Sequence, residues 1–362
     1  MSDRIGAGIV GANPDRGWAA HAHVPAIEAV PELALTAVAT TRAESARAAQ
    51  ARFGADHAFT DAASLARHPD VDLVVVAVKV PAHVELVTAA LDAGKNVYCE
   101  WPLTRTSAEA AALSEAAESA GVHTAVGLQA RFAPAVVRAR DLIAGGGIGD
   151  VLSATLHSAR SKGAAVDVPA WTAYTYDADN GAGLVDVLGG HALDLVQHLL
   201  GPVRDLTART ALRLPSHRVA ETGEPVTVTA PDQLLAIADL DGGAVVSIHL
   251  HDGEAALPRT RLEISGTTGN LALVSAPESD PWAAQLQIGR LDLYEARPGD
   301  ASWKPVALEA DGMSALPARA SNVARLYRQL AADLRDGTRT VPDFHEAHAV
   351  HTLIERIPHR RL

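Results

Sequence analysis

Two residues near the middle of the chain carry side chains suited to acid–base chemistry. His191 and Asp194 are three residues apart in a stretch with helical spacing, so their side chains lie on one helix face. An imidazole can accept or donate the proton that accompanies a redox step, and a neighbouring carboxylate can orient the ring. The alternative interpretation is a histidine packed in the core and an aspartate with a packing or capping role.

Other polar side chains could assist the same chemistry. Lys79 ends an apolar run, where charge is unusual, and could contact a nucleotide, supply a catalytic charge or simply be solvated. Tyr174 and Tyr176 could donate to substrate hydroxyls or act as a proton source, although loop tyrosines also simply pack. Arg131 could bind an anionic or polyhydroxylated substrate or pair with an acidic residue.

The elements that must position these residues begin with a strand, a glycine-rich turn and a helix over residues 4–27. This arrangement places backbone N–H groups and a helix N-terminus against a phosphate. Asn13 stands where a second glycine is usual, and the loop is longer than the standard turn, so an ordinary strand–turn–helix corner is the alternative. The turn supplies these candidate cofactor-binding residues: Gly11, Ala12, Asn13, Arg16, Gly17 and Trp18.

Apolar runs and helical patterns alternate through the first 128 residues. This alternation predicts a doubly wound parallel sheet of the Rossmann type, whose ligands lie outside the carboxyl ends of the strands. The predicted strand ends and the crossover after the last strand add these candidate cofactor-binding residues: Thr40, Thr41, Arg42, Val78, Lys79, Val80, His83, Glu100, Trp101, Pro102 and Gln129.

The end of the second strand indicates which dinucleotide is bound. An NAD-selective site usually has an acid there, whereas this chain has two threonines and Arg42 before the first carboxylate, Glu44. Hydroxyls and a guanidinium suit a 2′-phosphate, so the sequence favours NADP(H) over NAD(H). The alternative is that Arg42 is a surface residue at the start of the next helix.

From about residue 151 the pattern changes to strands joined by hairpin-like turns, with one strong helix over residues 183–200. This predicts an α+β domain with a large, mostly antiparallel open sheet. We therefore expect a nucleotide-binding domain over residues 1–128 and a substrate-binding and oligomerisation domain over 129–362. Helical tail segments over 318–334 and 343–357 are expected to pack back near the first domain.

Composition limits the possible partners and the compartment. The net charge of −12 argues against nucleic acid, and no apolar run is long enough to span a bilayer. A single cysteine, Cys99, and the absence of a visible signal peptide suit a reducing cytoplasm.

His249 and His251 share a strand face, but no third ligand is evident, so no metal is expected. An open apolar sheet needs cover, which predicts a homodimer or homotetramer.

Several motifs occur in an order that resembles the Gfo/Idh/MocA oxidoreductases, closest to the branch that includes the galactose-regulon repressor. They are AHVPAI at 22–27, KVPAH at 79–83, AGKNVYCEWPL at 93–103, GLQARF at 127–132, GIG at 147–149, GHALD at 190–194, PDQLL at 231–235 and GTTGNL at 266–271. The resemblance covers essentially the whole chain. It implies NAD(P) in the first domain and a sugar, polyol or similar small molecule against the open sheet.

Two departures from the family pattern bear on activity. Trp101 replaces the lysine of the usual Glu-Lys-Pro, and an indole N–H cannot deliver a proton. The position four before His191 is Val187 rather than the acid of Asp-x-Gly-x-His, and Asp186 lies about 100° away on an α-helix. Two of the three usual acid–base groups are therefore absent from their usual places.

The leading hypothesis is an NADP(H)-dependent oxidoreductase acting on a sugar-like or carbonyl- or imine-containing small molecule. His191 would handle the proton, and the candidate substrate-binding residues are Trp101, Arg131, Tyr176 and His191. One alternative is a nucleotide-binding regulator without turnover, as the resemblance to the repressor implies. Another is a redox-assisted elimination or epimerisation that recycles its cofactor.

Overall fold

The computed structural model describes residues 4–278 and 280–358, which form two compact units. The first unit comprises residues 1–129 and 311–349, and the second comprises 130–310 and 350–362. Residues 311–349 thus group with the first unit, although the sequence boundary assigned them to the second domain. The backbone N–H of Val126 donates to the carbonyl oxygen of Pro342 at 2.8 Å, which ties this tail segment to the parallel sheet.

The first unit contains a six-stranded parallel sheet with the strand order β3-β2-β1-β4-β5-β6. This is the doubly wound order of dinucleotide-binding folds, and it confirms the predicted fold class. The short β3 was not predicted, because three residues carry too little pattern. The strands are β1 (Ile5–Val10), β2 (Leu33–Ala39), β3 (His57–Phe59), β4 (Leu73–Val76), β5 (Asn96–Cys99) and β6 (Thr124–Val126).

The helices follow the predicted positions except for α3 and α6, which sequence reasoning missed. They are α1 (Val24–Glu28), α2 (Ala43–Phe53), α3 (Ala62–Ala66), α4 (His83–Asp92), α5 (Ser107–Ala120), α6 (Pro134–Ala144), α7 (Gly190–Leu200), α8 (Ala318–Asp336) and α9 (Phe344–Glu355). Two π-helical segments, Ala19–His23 and Val185–Gly189, precede α1 and α7. No helix within the described ranges is long and apolar enough to cross a membrane.

The second unit contains an eight-stranded sheet with the order β17-β16-β15-β14-β7-β13-β12-β9. Only the β7–β13 pair is parallel within it, so the sheet is mixed and mostly antiparallel. A small sheet of β11, β10 and β8 lies apart from it. The strands are β7 (Val151–Ala159), β8 (Asp167–Val168), β9 (Val203–Ala211), β10 (Ser216–Val219), β11 (Pro225–Thr227), β12 (Gln233–Leu240), β13 (Val245–His251), β14 (Arg259–Gly266), β15 (Asn270–Ser275), β16 (Leu291–Ala296) and β17 (Lys304–Pro305).

The large sheet has one buried and one open face. Along β12 the buried residues Leu234, Ala236 and Ala238 alternate with the exposed Leu235 and Ile237. Because side chains alternate between the two faces of a strand, the pattern separates a core face from a face that the chain leaves uncovered.

Candidate functional site

Gly11 shapes the turn that follows β1. A Cβ at this position would lie 2.6 Å from both the carbonyl oxygen of Ala77 and Cγ1 of Val78, and the φ of Gly11 is 95°. Only glycine allows the chain to leave β1 so close to the end of β4. The turn reaches Gly17, whose φ is also positive. The local geometry is therefore that of a glycine-rich loop.

The side chain of Asn13 stabilises this turn by accepting hydrogen bonds from the loop backbone. Its Oδ1 accepts the backbone N–H groups of Asp15 at 2.9 Å and Arg16 at 3.2 Å, so those donors are occupied inside the loop. Trp18 offers another donor, because its indole Nε1 is buried and has no acceptor among the described residues. A buried donor without an acceptor costs about 1–3 kcal/mol. A phosphate or ribose oxygen placed here would be stabilising.

The end of β2 carries the predicted selectivity residues. The hydroxyl of Thr40 donates to the carbonyl oxygen of Arg42 at 3.0 Å and lies 2.7 Å from the hydroxyl of Ser45, so it fixes the start of α2. Thr41 and Arg42 are exposed. Within the described part of the chain the Arg42 guanidinium makes no ion pair, and its charge remains available to an anionic ligand.

His83 joins two neighbouring strand ends. Its Nδ1 lies 3.0 Å from the carbonyl oxygen of Pro102, and its Nε2 lies 3.2 Å from that of Val78. Burial lowers the pKa of His83, although the surrounding carbonyl groups act to raise it. The ring is 1% exposed, so the structure gives it a role in positioning these loops. Its direct contact with a cofactor stays a prediction, as do those of the exposed Lys79 and the buried Gln129.

Two aromatic side chains, Tyr98 and His23, contact Glu100, and a third, Tyr327, contacts His23. The Tyr98 hydroxyl donates to Oε1 of Glu100 at 3.0 Å, and Nε2 of His23 lies 3.1 Å from the same oxygen. Nδ1 of His23 lies 2.7 Å from the hydroxyl of Tyr327. Burial, and then the charge of Glu100, raise the pKa of Tyr98 and Tyr327 well above the usual value, so both phenols stay protonated. The network fixes the backbone before the buried Trp101.

In the second unit, a π-helical segment changes the relation between Asp186 and His191. The segment Val185–Gly189 leads directly into α7. On an α-helix, residues five apart point in different directions, but the i→i+5 repeat of a π-turn brings residue i+5 towards the face of residue i. Asp186 and His191 are both 4% exposed. The α-helical spacing that set Asp186 aside therefore does not hold across this segment, which helical periodicity could not reveal.

Asp194 is bound by Arg131. Nε of Arg131 lies 3.0 and 3.1 Å from the two carboxylate oxygens, and the two side chains are 13% and 1% exposed. This is the acidic partner that the sequence left open for Arg131. An orienting role of Asp194 towards His191, and a substrate-binding role of Arg131, stay predictions.

Four polar residues converge at the end of β7, and we call them the β7 cluster: Arg160, Lys162, Tyr176 and Asp252. Nε and Nη2 of Arg160 donate to the two carboxylate oxygens of Asp252 at 2.6 and 2.9 Å, and both side chains are buried. Nζ of Lys162 lies 4.8 Å from the centre of the Tyr176 ring. Sequence reasoning named only Tyr176. The missed signal was a pair of cations, Arg160 and Lys162, directly after a buried strand.

The ionisable side chains of this region differ in their pKa values, and therefore in their protonation at neutral pH. Burial lowers the pKa of Lys162 to about 8, with Asp252 raising it and Arg160 lowering it. Burial, and then the charge of Arg160, lower the pKa of His191 to about 3. Burial raises the pKa of Tyr174 and Tyr176 to about 12. At neutral pH the imidazole is therefore neutral, and Lys162 is the group that exchanges protons most readily.

A small cleft beside the β7 cluster contains an unsatisfied carboxylate oxygen. Lys162, Tyr176, His217, Asp232 and Asp252 contribute to its lining. Oδ2 of Asp232 accepts two backbone N–H groups, at 2.8 and 2.6 Å, whereas its buried Oδ1 has no partner among the described residues. The cleft has room for about one water molecule, which could donate to that oxygen.

The open face of the large sheet carries three histidines rather than the two that the sequence suggested. The strand register pairs His157 of β7 with His249 of β13, and the rings of His157, His249 and His251 are 5.3–5.5 Å apart. Burial, and then the neighbouring imidazoles, lower the pKa of His157 and His249. The third imidazole comes from a distant segment, so strand periodicity alone could not identify it.

Comparisons with known proteins agree with this division of the chain. Residues 5–128 match the family described as an oxidoreductase family with an NAD-binding Rossmann fold, and residues 134–275 match the Gal80p C-terminal domain. The dehydrogenase aclE of Aspergillus oryzae is 36% identical to this chain over 61% of the chain's length. The match covers 62% of aclE, which is less than two thirds of that protein. The galactose/lactose metabolism regulatory protein GAL80 of Saccharomyces cerevisiae is 28% identical to this chain. The match covers 94% of this chain and 84% of the GAL80 chain.

Solved structures show the same two-part architecture. A super-repressor mutant of Gal80p from Saccharomyces cerevisiae superimposes with a TM-score of 0.86 at 27% identity, over 98% of this chain and 95% of its own. A levoglucosan dehydrogenase in complex with NADH and levoglucosan gives a TM-score of 0.83 over 97% and 95% of the two chains. Its identity of 22% shows a shared fold alone.

Proposed function

Because this chain belongs to the Gfo/Idh/MocA oxidoreductase family, we propose that it is an NADP(H)-dependent oxidoreductase acting on a sugar-like or carbonyl- or imine-containing small molecule. The observation that carries this proposal is the β7 cluster. It contains a lysine with a pKa of about 8, beside a cleft with an unsatisfied carboxylate oxygen. A lysine whose pKa is lowered by burial and charged neighbours, beside a cleft, is typical of functional sites.

The first unit has the features that a dinucleotide requires. Gly11 permits the tight turn, Trp18 offers a buried donor, and Arg42 offers an unpaired cation at the end of β2. In our proposal the loop at residues 11–17 binds the diphosphate, and Arg42 binds a 2′-phosphate. When bound, the nicotinamide supplies or accepts the hydride.

Lys162 takes over the proton chemistry that Trp101 cannot perform. A group whose pKa lies near the working pH transfers protons most efficiently, which favours Lys162 over the His191 of our sequence-based hypothesis. In our proposal, neutral His191 hydrogen-bonds a substrate hydroxyl, and the Tyr176 hydroxyl, which donates to the carbonyl oxygen of Lys162 at 3.1 Å, holds the Lys162 segment in place. Asp186 positions His191 from the preceding π-turn.

Similarity to GAL80 over 94% of this chain favours one other candidate, a nucleotide-binding regulator without turnover. The two functions are separated by saturating purified protein with NADPH and adding a panel of carbonyl sugars, imines and glycosides. Loss of NADPH absorbance with one panel member supports the enzyme. Tight NADPH binding without oxidation across the panel supports the regulator.

The cofactor preference is tested by replacing Arg42. We expect Arg42→Ala to raise the Kd for NADPH about 10-fold, because one charged hydrogen bond to the 2′-phosphate is lost. The Kd for NADH should stay within about 2-fold of the wild-type value, since NADH lacks that phosphate. Fluorescence titration measures both constants. Arg47→Ala is the matched control, because it removes an exposed arginine from α2, the helix that begins directly after Arg42. Equal effects of the two substitutions would contradict the selectivity role.

The open face of the large sheet is proposed to form the interface of a homodimer or homotetramer. Leu235, Ile237 and Val245 are 44–58% exposed on the neighbouring strands β12 and β13, and such apolar patches mark interaction sites. Light scattering at micromolar concentration should show a dimer or tetramer that Ile237→Lys dissociates. Val137→Lys, at a similarly exposed position on α6, should leave it intact. A wild-type monomer would refute the interface.

A further inference from the structure

Three potential metal ligands meet at the edge of the first unit, away from every residue assigned above. His57 begins the edge strand β3, and His68 and Asp70 lie in the turn between α3 and β4. Nε2 of His57 lies 2.8 Å from Oδ2 of Asp70, and Nδ1 of His68 lies 3.8 Å from the same oxygen. One ligand atom from each residue lies within 4.8 Å of the others.

We propose that His57, His68 and Asp70 bind a divalent transition-metal ion of the zinc type. Two imidazole nitrogens and one carboxylate oxygen form a donor set typical of zinc, with a fourth position left for water. Ligands about 2.0–2.2 Å from a tetrahedral ion lie roughly 3.3–3.5 Å from one another, so small side-chain rotations would bring these three atoms into place.

The backbone around these ligands is held firmly. A Cβ at Gly6 would overlap the carbonyl oxygen of Asp70, so the turn packs directly against β1. The Gly6 N–H donates to the Asp72 carboxylate at 2.8 Å, and the Asp72 N–H donates back to the Gly6 carbonyl oxygen at 2.8 Å. The rings of His57 and His68 are 4.0 Å apart. Binding would therefore require little ordering of the chain, which favours affinity.

Two contacts oppose metal binding and lower the expected affinity. Nζ of Lys95 donates to the carbonyl oxygen of His68 at 3.3 Å and brings a positive charge nearby. The backbone N–H of Asp70 donates to Nδ1 of His68 at 3.3 Å and competes with a metal for that lone pair. The side chains are also 25–58% exposed. The site should therefore bind zinc more weakly than a closed structural site does.

The position in the fold indicates a structural role. The Cα partner of His57 is Ala37, whereas Phe59 at the other end of β3 pairs with Ala39 beside the nucleotide-binding end of β2. The ion would therefore join the short edge strand to the α3–β4 turn at the opposite end of the sheet. The site is independent of the oxidoreductase proposal, and neither depends on the other.

The test is calorimetric titration of the full-length, tag-free protein with zinc chloride, with thermal unfolding in the same buffer. We expect one site per chain and a higher midpoint with zinc. His57→Asn and His68→Asn should each raise the Kd at least 10-fold. His249→Asn is the matched control, because it removes one imidazole from the rival histidine group on the open sheet. It should leave the Kd unchanged.

Three outcomes would overturn the proposal: no zinc binding by the wild-type protein, unchanged affinity in His57→Asn, or loss of binding in His249→Asn alone. Metal-free unfolding of His57→Asn at the wild-type midpoint shows that the variant is folded.

Discussion

Replacing Lys162 with methionine should lower kcat/KM at least about 100-fold, the usual contribution of a positioned acid or base. Methionine retains the apolar length of the side chain and removes only the amine. The affinity for NADPH should not change, because the residues proposed to bind it belong to the first unit. The measurement is steady-state kinetics with a substrate from the panel, with Lys304→Met as the exposed-lysine control.

The direction in which kcat/KM changes with pH should show whether Lys162 acts as a base or as an acid. If Lys162 acts as a base in substrate oxidation, kcat/KM rises through pH about 8 as the amine loses its proton. In the reduction direction Lys162 acts as the acid, and kcat/KM falls through the same pH. Lys162→Met should abolish this limb. A variant that kept the limb, or at least a third of the wild-type kcat/KM, would exclude Lys162 as the proton-exchanging group.

The pKa of Lys162 can also be measured without a substrate. The sequence contains four lysines, so isotope-labelled dimethyl-lysine signals can be assigned by substitution and titrated by NMR. The Lys162 signal should titrate near pH 8, well below the ordinary value for a lysine of about 10.4. A Lys162 midpoint at the ordinary value would contradict the structural basis of its role.

Asp194→Ala should reduce the free energy of unfolding of the second unit by about 3–5 kcal/mol, because it leaves the buried Arg131 guanidinium without its carboxylate. Urea unfolding followed by circular dichroism measures the change. The matched control is Asp167→Ala, which breaks the ion pair with Arg218 at a site where both side chains are more than half exposed. That loss should stay below about 1 kcal/mol.

A double replacement separates the cost of an unpaired charge from the value of the pair. Arg131→Met combined with Asp194→Leu removes both charges and should restore part of the lost stability. A double variant as unstable as the sum of the two single variants would show that the residues act independently. If Asp194→Ala lost no more stability than Asp167→Ala, the pair would not be a buried structural contact.

The parallel sheet could be predicted because its signals are local. Each of the strands β1, β2, β4 and β5 is an apolar run followed by a turn and a helical pattern, which records burial in a parallel sheet. The glycine turn and the polar residues after β2 are equally local, so candidate nucleotide-binding residues could be named from the sequence, and their contacts with a cofactor stay predictions. β3 and α3 were missed, because so few residues carry little periodic information.

The catalytic candidates could be predicted only in part, because they depend on the path of the backbone. Asp186 was set aside on the assumption of an α-helical spacing that the π-turn before α7 does not follow. Asp252 reaches Arg160 from the residue after β13, a partner 92 positions away along the chain. No periodicity within either segment indicates that contact.

The sequence by itself determined the class of fold, the position of the glycine turn and the absence of the usual lysine at Trp101, since these are properties of residue type and order. Tertiary structure alone decided that His157 stands beside His249 and that Asp252 pairs with Arg160. It also decided that Lys162 has a pKa of about 8. These depend on strand register and burial, which arise only when distant segments pack together.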